Sequence, residues 1–244
     1  MKRILVISDV HANLNALEAV LADAGDVDET WCLGDLVGYG PDPNECVERI
    51  RNLPGLTCQM GNHDYAMVGG IPLSAFNSEA RRSLIWQTDQ LSNENRDFLR
   101  NLAKETSVRG QVSLVHGAPR DPIWEYILNT LNARLNLAFF DTPWCFVGHS
   151  HFQAIFQYNQ DEDDFKIEIP APGTHYKMNS RSIHNPGSVG QPRDRDPRAA
   201  YAIYYPETCK WEPRRADYDI LSVQDRILTA GLPPRHAERL TGGW

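Results

Sequence analysis

Histidine and aspartate recur along this chain in short clusters: Asp9-Val10-His11, Gly34-Asp35, Gly61-Asn62-His63-Asp64, His116-Gly117 and Gly148-His149-Ser150-His151. Imidazole nitrogens and carboxylate oxygens are ligands for divalent transition metals, and their order here reads as a pair of ions. Each cluster follows a short run with strand character. That placement matters because the ends of strands far apart in sequence meet at one edge of a sheet. Singly, each cluster has an ordinary explanation as a turn or a helix cap. Five in series, each at a strand exit, do not share one. Asp9 and His11 are two residues apart, as are His149 and His151, so a strand continuing through either pair would turn both side chains to one side.

The elements that must position these clusters begin with residues 4–7, a continuous apolar, β-prone run typical of a strand buried on both faces. Leu14, Leu17, Val20 and Leu21 then recur at helical spacing over 13–24, with Asn13 as N-cap. The pattern predicts a strand over 30–33, a helix opening on Pro43 over 43–50, and a strand over 56–60. This βαβαβ opening implies a parallel sheet with crossover helices. Residues 74–104 carry no strand signal and read as two serine-capped helices, about 74–91 and 92–103, inserted between the third and fourth clusters. They read as a layer on the sheet rather than a cap over the site. Strand character returns at 112–115 and 144–147, around a helix near 128–140. Beyond His151 the texture is β-rich, at 154–158, 165–169, 182–184 and 200–205. The acidic run at 161–164 lacks the ligand spacing and glycine of a calcium loop and reads as a solvated hairpin tip. A last amphipathic helix is predicted over 219–230, and residues from Pro233 onward read as a loose tail. With no internal repeat and no separating linker, 1–244 reads as a single domain with a helical insertion at about 74–104.

The chain has 244 residues, 41% hydrophobic and 23% charged, which is globular in type and large enough for a substantial core. No apolar run approaches the length of a membrane-spanning helix. The stretch after Met1-Lys2-Arg3 is short and interrupted by Ser8-Asp9, so it reads as a first strand rather than a signal peptide. The five cysteines form no Cys-x-x-Cys pair and suggest buried, reduced thiols in a cytoplasmic protein. A net charge of −8 argues against general nucleic-acid binding, whereas a local cationic centre would still draw a small phosphorylated substrate.

Taken in order, Asp9-Val10-His11, Gly34-Asp35, Gly61-Asn62-His63-Asp64, Val115-His116-Gly117 and Gly148-His149-Ser150-His151 resemble the motifs of the calcineurin-like metallophosphoesterase superfamily. The resemblance spans about residues 4–190. The residues from Gly34 to Pro41 and from Asn185 to Gly190 are similar to the small prokaryotic phosphoesterase group. It implies an α/β (α+β) fold, a four-layer α/β/β/α sandwich. It also implies that Asp9, His11 and His151 bind one metal, that Asn62, His116 and His149 bind the other, and that Asp35 bridges them. Such mixed nitrogen and oxygen ligation favours two divalent transition ions, Mn, Fe or Zn, over an all-oxygen magnesium site.

The expected activity is hydrolysis of small phosphodiesters or nucleotides by a metal-bridging hydroxide, with phosphodiesters ahead of phosphomonoesters. His63 is expected beside the substrate as an imidazolium, held by a hydrogen bond it donates to Asp64, whose other reading is a helix N-terminal charge. Tyr39, Arg120, Trp124 and Arg193 lie near the motif loops as possible substrate contacts, with Tyr126 beside Trp124. Both aromatic residues could instead anchor the next helix. His175, His184 and His236 match no ligand of the family and read as structural or exposed. The place where serine/threonine protein phosphatases usually carry an Asp-Arg pair holds Val37-Gly38-Tyr39, and Asp64 replaces their glutamate. A protein phosphatase or a diadenosine-polyphosphate hydrolase using the same centre is the enzymatic alternative. A non-catalytic scaffold is the other, and it has no need of His63 or of a full ligand set.

Overall fold

The first strand, β1 (Ile4–Ile7), shows why its sequence is apolar without alternation. Ile4 and Val6 enter one core, Leu5 and Ile7 enter another, and all four are fully buried. The computed structural model describes residues 1–108 and 110–244. After β1 come α1 (Leu14–Ala24), β2 (Glu29–Cys32), α2 (Pro43–Arg51), β3 (Thr57–Cys58) and α3 (Asn62–Met67). Next are α4 (Ser78–Gln90), α5 (Asn93–Arg100), β4 (Glu105–Val108), β5 (Val112–Val115), α6 (Thr130–Asn136) and β6 (Trp144–Phe146). The remainder is β7 (Ala154–Asn159), β8 (Asp164–Glu168), β9 (Tyr176–Lys177), β10 (Ser182–Asn185), β11 (Ala199–Tyr205), β12 (Lys210–Ala216), α7 (Ile220–Thr229) and α8 (Pro234–Gly242).

Two mixed six-stranded sheets result, in the orders β3-β2-β1-β11-β12-β9 and β4-β5-β6-β10-β7-β8. In each, three parallel strands (β1–β3, and β5, β6 and β10) adjoin antiparallel ones. The sheets face each other across Val6, Trp31, Leu114, Phe146, Tyr204 and Trp211. On the outer face of the first sheet, Leu17, Val47 and Leu84 of α1, α2 and α4 pack over Leu5, Ile7 and Ile203. On the outer face of the second, Ala133 of α6 packs with Cys145 and Phe156. The architecture is therefore α/β/β/α, as expected. All five cysteines are free thiols; Cys32, Cys46 and Cys145 are buried, while Cys58 and Cys209 are half-buried. Among the described residues, no helix is long and apolar enough to cross a membrane.

Capping chemistry accounts for most helix starts. Asn13 accepts from Ala16 N–H, Ser92 from Asn95 N–H and Asp219 from Ser222 N–H. The predicted helix over 74–91 starts later than expected: Leu73–Ala75 is a 3₁₀ turn and the cap is Asn77, which accepts from Glu79 and Ala80 N–H. The expected third strand shrinks to two residues, because the chain leaves the sheet at Met60 to begin α3, a helix the sequence reading did not mark. The short strand β4 follows residues read as helix and was also unmarked, as was β9. Strand β12 carries Pro213, which obscures it. The proline is tolerated because β9 pairs only with Lys210 and Trp211, leaving β12 an edge beyond them. The supposed tail from Pro233 is helix α8, opened by Pro234 and closed by Gly243 at φ +60°.

Candidate metal centre

The loops leaving β1, β2, β5 and β6, with the start of α3, converge at one end of the two sheets. The strands do not continue through the motifs, contrary to the alternation argument. Asp9, His11, Asp35, His149 and His151 all have positive φ, between +48° and +63°. Such backbone is uncommon for residues other than glycine and persists only where its surroundings fix it. Here the loops fix one another: Asp9 N–H donates to Gly34 O (2.9 Å), His11 N–H to Asp35 O (3.0 Å), Gly148 N–H to His116 O (2.8 Å) and Gly190 N–H to Asp9 O (2.9 Å). Gly34, at φ +101°, also lets the second and third loops touch, since a Cβ there would lie 2.5 Å from Gly61 N.

The seven side chains implied as ligands are all buried and fall into two groups. Donor atoms of Asp9, His11 and His151 lie within 4.8 Å of one another, as do those of Asp35, His116 and His149. Asn62 Oδ1 is 3.2 Å from His116 Nε2 and so joins the second group. Asp35 Oδ2 lies between the groups, 3.6 Å from His11 Nε2 and 3.4 Å from His116 Nε2.

Four histidines turn one ring nitrogen towards this centre. His11 Nδ1–H donates to Val37 O (2.8 Å), His116 Nδ1–H to Leu33 O (2.9 Å) and His151 Nδ1–H to Gln191 O (2.6 Å). His149 reverses its ring and donates Nε2–H to Trp124 O (3.2 Å). A carbonyl only accepts, so each bond places the proton there and leaves the other nitrogen of a neutral ring as a lone pair. Those lone pairs face each other: His11 Nε2 lies 3.1 Å from His151 Nε2, and His116 Nε2 lies 3.2 Å from His149 Nδ1. Burial pushes His11, His149 and His151 well below the usual imidazole range. Asp9 Oδ1 and Asp35 Oδ2 are buried without a hydrogen-bond donor. Buried acceptors that converge in this way fit divalent cations. Without a cation, burial raises Asp9 to about 6. His116 goes up to about 9, because the charge of Asp35 overrides its burial.

His63 also comes near, within reach of His11 and Asp35. Burial pushes it down to about 4 in the free protein, so the expected imidazolium would need an anion beside the ring. Asp64 does not hold it. The Asp64 carboxylate accepts backbone N–H groups of Asp35 (2.7 Å), Leu36 (2.9 Å), Val37 (3.3 Å) and Gly61 (3.0 Å). Asp64 is thus the helix N-terminal charge of α3 and the clamp of the Asp35 loop. Gly38 leaves room for the ring, since a Cβ there would collide with His63 Nδ1.

Over the centre lies a pocket of about 190 Å³ lined by Tyr39, His63, Phe76, Trp124, Tyr126 and Arg193, among others. Tyr126 stacks on His149 (centroids 3.8 Å, 16°), and Trp124 meets Phe76 (5.2 Å), which meets His63 (4.9 Å). Trp124 and Tyr126 therefore form the wall of the site. Phe76 and Asn77 complete it from the start of α4 and were missed, because nothing local distinguishes them from an ordinary helix start. Helix α4 is a layer on the first sheet and also a wall, and its Gln87 grips the turn after Asp35 by Gly38 N–H (2.6 Å) and Gly40 O (2.7 Å). Arg193 hydrogen-bonds Gln191 Oε1 (3.0 Å) and Tyr39 Oη (3.4 Å), on a loop anchored by the buried Asp194–Arg215 ion pair. Arg120 is not in the pocket. Its guanidinium pairs with Glu125 at the surface, which corrects its assignment as a substrate contact.

The calcineurin-like phosphoesterase superfamily domain matches residues 1–208. An uncharacterized protein of Methanocaldococcus jannaschii is 38% identical, the match covering 97% of this chain and 96% of that one. The crystal structure of a metallophosphoesterase from Sphaerobacter thermophilus is 47% identical, with a TM-score of 0.91 over 100% of this chain and 99% of that one. That of a hypothetical protein from Pyrococcus horikoshii OT3, 21% identical, shares the fold at a TM-score of 0.82 over 100% of this chain and 99% of that one. This chain belongs to the calcineurin-like phosphoesterase superfamily and is a metallophosphoesterase.

Proposed function

We propose that the protein hydrolyses small phosphodiesters or nucleotides with two divalent transition metals, Mn, Fe or Zn, as cofactors. The observation that carries this reading is the pair of facing lone-pair groups sharing Asp35 Oδ2. Asp9, His11 and His151 would hold one ion, Asn62, His116 and His149 the other, and Asp35 both. Bound there, the ions would polarise a phosphoryl oxygen and make water a hydrolytic nucleophile at neutral pH.

The side chains around them have separable tasks. Arg193 and the Tyr39 hydroxyl would donate hydrogen bonds to the phosphoryl oxygens from one side of the pocket. With Nδ1 against Gly38, His63 offers Nε2 to the pocket. An arriving anion would raise the basicity of that ring, so Nε2 could take up a proton and pass it to the leaving oxygen. Phe76, Trp124 and Tyr126 would exclude water and pack against an apolar or aromatic leaving group, which favours an ester carrying an organic group over inorganic polyphosphate. The small pocket suits a small substrate.

The test is turnover of a chromogenic phosphodiester beside its matching monoester by purified, Mn²⁺-reconstituted protein, with a chelator control. Chelator-sensitive turnover of the diester is expected. Turnover of the monoester alone would replace the diesterase reading with a phosphatase one. No turnover of either, in protein holding two metals per chain, would sink both.

A further inference from the structure

Helix α8 lies outside the residues that match the superfamily, yet it reaches the site. His236, on its first turn, packs edge-on against Tyr39, with ring centroids 5.0 Å apart at 75°. Tyr39 in turn meets His11 at 4.6 Å and His63 at 4.7 Å. Its ring is therefore wedged between the metal-bearing loops and α8. Tyr39 has φ +58°, a conformation that a tyrosine keeps only when held. Its N–H donates to Ser83 Oγ (3.2 Å), which fixes the backbone but leaves the ring to whatever packs behind it.

His236 is itself fixed, 1% exposed, with Nε2–H donating to Glu79 O (3.2 Å). The same end of the chain steadies Arg193 from the other side. Arg195 N–H donates to Gly243 O (2.7 Å), and Gly243 lies so close to Asp196 that a Cβ would meet its backbone at 2.8 Å. Arg193 has no carboxylate partner among the described residues. It bonds Gln191 and Tyr39, and its buried Nε bonds nothing, so the guanidinium keeps capacity for an anion.

We propose that His236 is a positioning residue that, by backing Tyr39, aims the Tyr39 hydroxyl and the Arg193 guanidinium at the phosphoryl oxygens of a bound ester. This rests on the function proposed above and makes α8 part of the active site.

Three variants separate the ring from the helix anchor: His236→Ala, His236→Phe, which keeps a ring, and His236→Gln, which keeps a donor for Glu79 O. Inorganic phosphate binding to Mn²⁺-loaded protein is read by calorimetry, and KM and kcat with the chromogenic diester. Gln224→Ala is the control, since Gln224 ties α7 to α8 through Ala237 O (2.7 Å) and Thr241 Oγ1 (2.9 Å) without touching Tyr39. His236→Ala should weaken phosphate binding and raise KM about ten-fold, with kcat within about three-fold and metal content unchanged. Phe should restore most of the loss and Gln should not. Gln224→Ala should lower the thermal midpoint and bind phosphate as the parent does. Rescue by Gln but not Phe, an effect of Gln224→Ala as large as that of His236→Ala, or an unchanged His236→Ala would each overturn the proposal. So would parent protein that binds no phosphate. Parent protein that binds phosphate but cleaves no ester would reject the hydrolytic reading alone, and the calorimetry would still decide the role of His236.

Discussion

The floor and the wall of the active site were built in different ways. The floor comprises Asp9, His11, Asp35, His116, His149 and His151, carried by short loops that leave sheet strands, with Asn62 at the start of α3. The wall comprises Tyr39, Phe76, Trp124, Tyr126 and Arg193, backed by His236, and it comes from the long excursions between strands and from the last helix. Loops of the floor bond to each other through main-chain groups, and each imidazole of the floor is oriented by a backbone carbonyl. The wall is positioned by rings on rings. Main-chain scaffolding tolerates few alternatives, whereas aromatic packing accommodates many. On the function proposed above, the chemistry would reside in the floor and selectivity among esters in the wall.

The largest effect expected from breaking this division is at Asp35, the one carboxylate shared by both donor groups. Asp35→Asn removes half of the charge that the two carboxylates supply and should cut turnover by about 10³-fold or more. Elemental analysis should find metal lost along with activity. Full occupancy with near-parental turnover would mean that Asp35 bridges nothing.

His63 stands at the junction of floor and wall, and its replacement sharpens the boundary. His63→Ala should lower kcat by about 10²-fold, the ordinary scale of a proton-transfer group, with two metals retained. Metal loss in that variant would move His63 into the floor as a ligand, which its proximity to His11 and Asp35 makes a real alternative. The two readings differ in a single elemental analysis.

A pair of arginines tests the wall. Arg193→Ala should raise KM by about ten-fold with a smaller change in kcat, as expected for a group that grips the substrate as well as the transition state. Arg120→Ala should do nothing beyond about two-fold, because its charge is already spent at the surface on Glu125, where such pairs count for little. Equal effects at both positions would place the substrate over the Arg120 loop and contradict the pocket described here.

The same division governs what the sequence revealed. Each group of the floor follows an apolar run, so its type, order and place at a strand exit are local facts, and β1, β2, β5, β6, β7, β10 and β11 were legible with it. What local pattern did not carry is that the motif residues leave the strand into positive φ, since that follows from contacts between loops distant in sequence. Asp64 was read as the partner of His63 because the two are adjacent. Its four N–H donors come from two separate loops, and only the fold brings them together. Strand β12 was hidden by its charges and Pro213, and α8 by a proline pair that read as loop although proline is at home in a helix's first turn. Missing α8 meant missing His236.

His184 gives the smallest effect and the cleanest contrast with the histidines of the floor. It lies between the sheets against Phe146 (5.7 Å) and Trp211 (5.0 Å), with Nε2 paired to Ser182 Oγ (2.9 Å) and Nδ1 buried without a partner. Among the described residues no candidate cation site includes it, and burial drives it from 6.5 down to about 3. The unfolded chain therefore binds a proton that the folded protein refuses. Stability is full above about 6.5 and is lost as pH falls towards about 3, by up to about 1.4 kcal/mol per pH unit from this one group. His184→Leu removes that titration. In metal-free buffer the floor histidines titrate alike in parent and variant, so they cancel in the difference between two denaturation series. That difference should swing steadily towards the variant from pH 6.5 down to about 4, whatever its sign at neutral pH. Parallel curves would show that His184 takes up its proton inside the fold, which would require a partner for Nδ1 between the sheets.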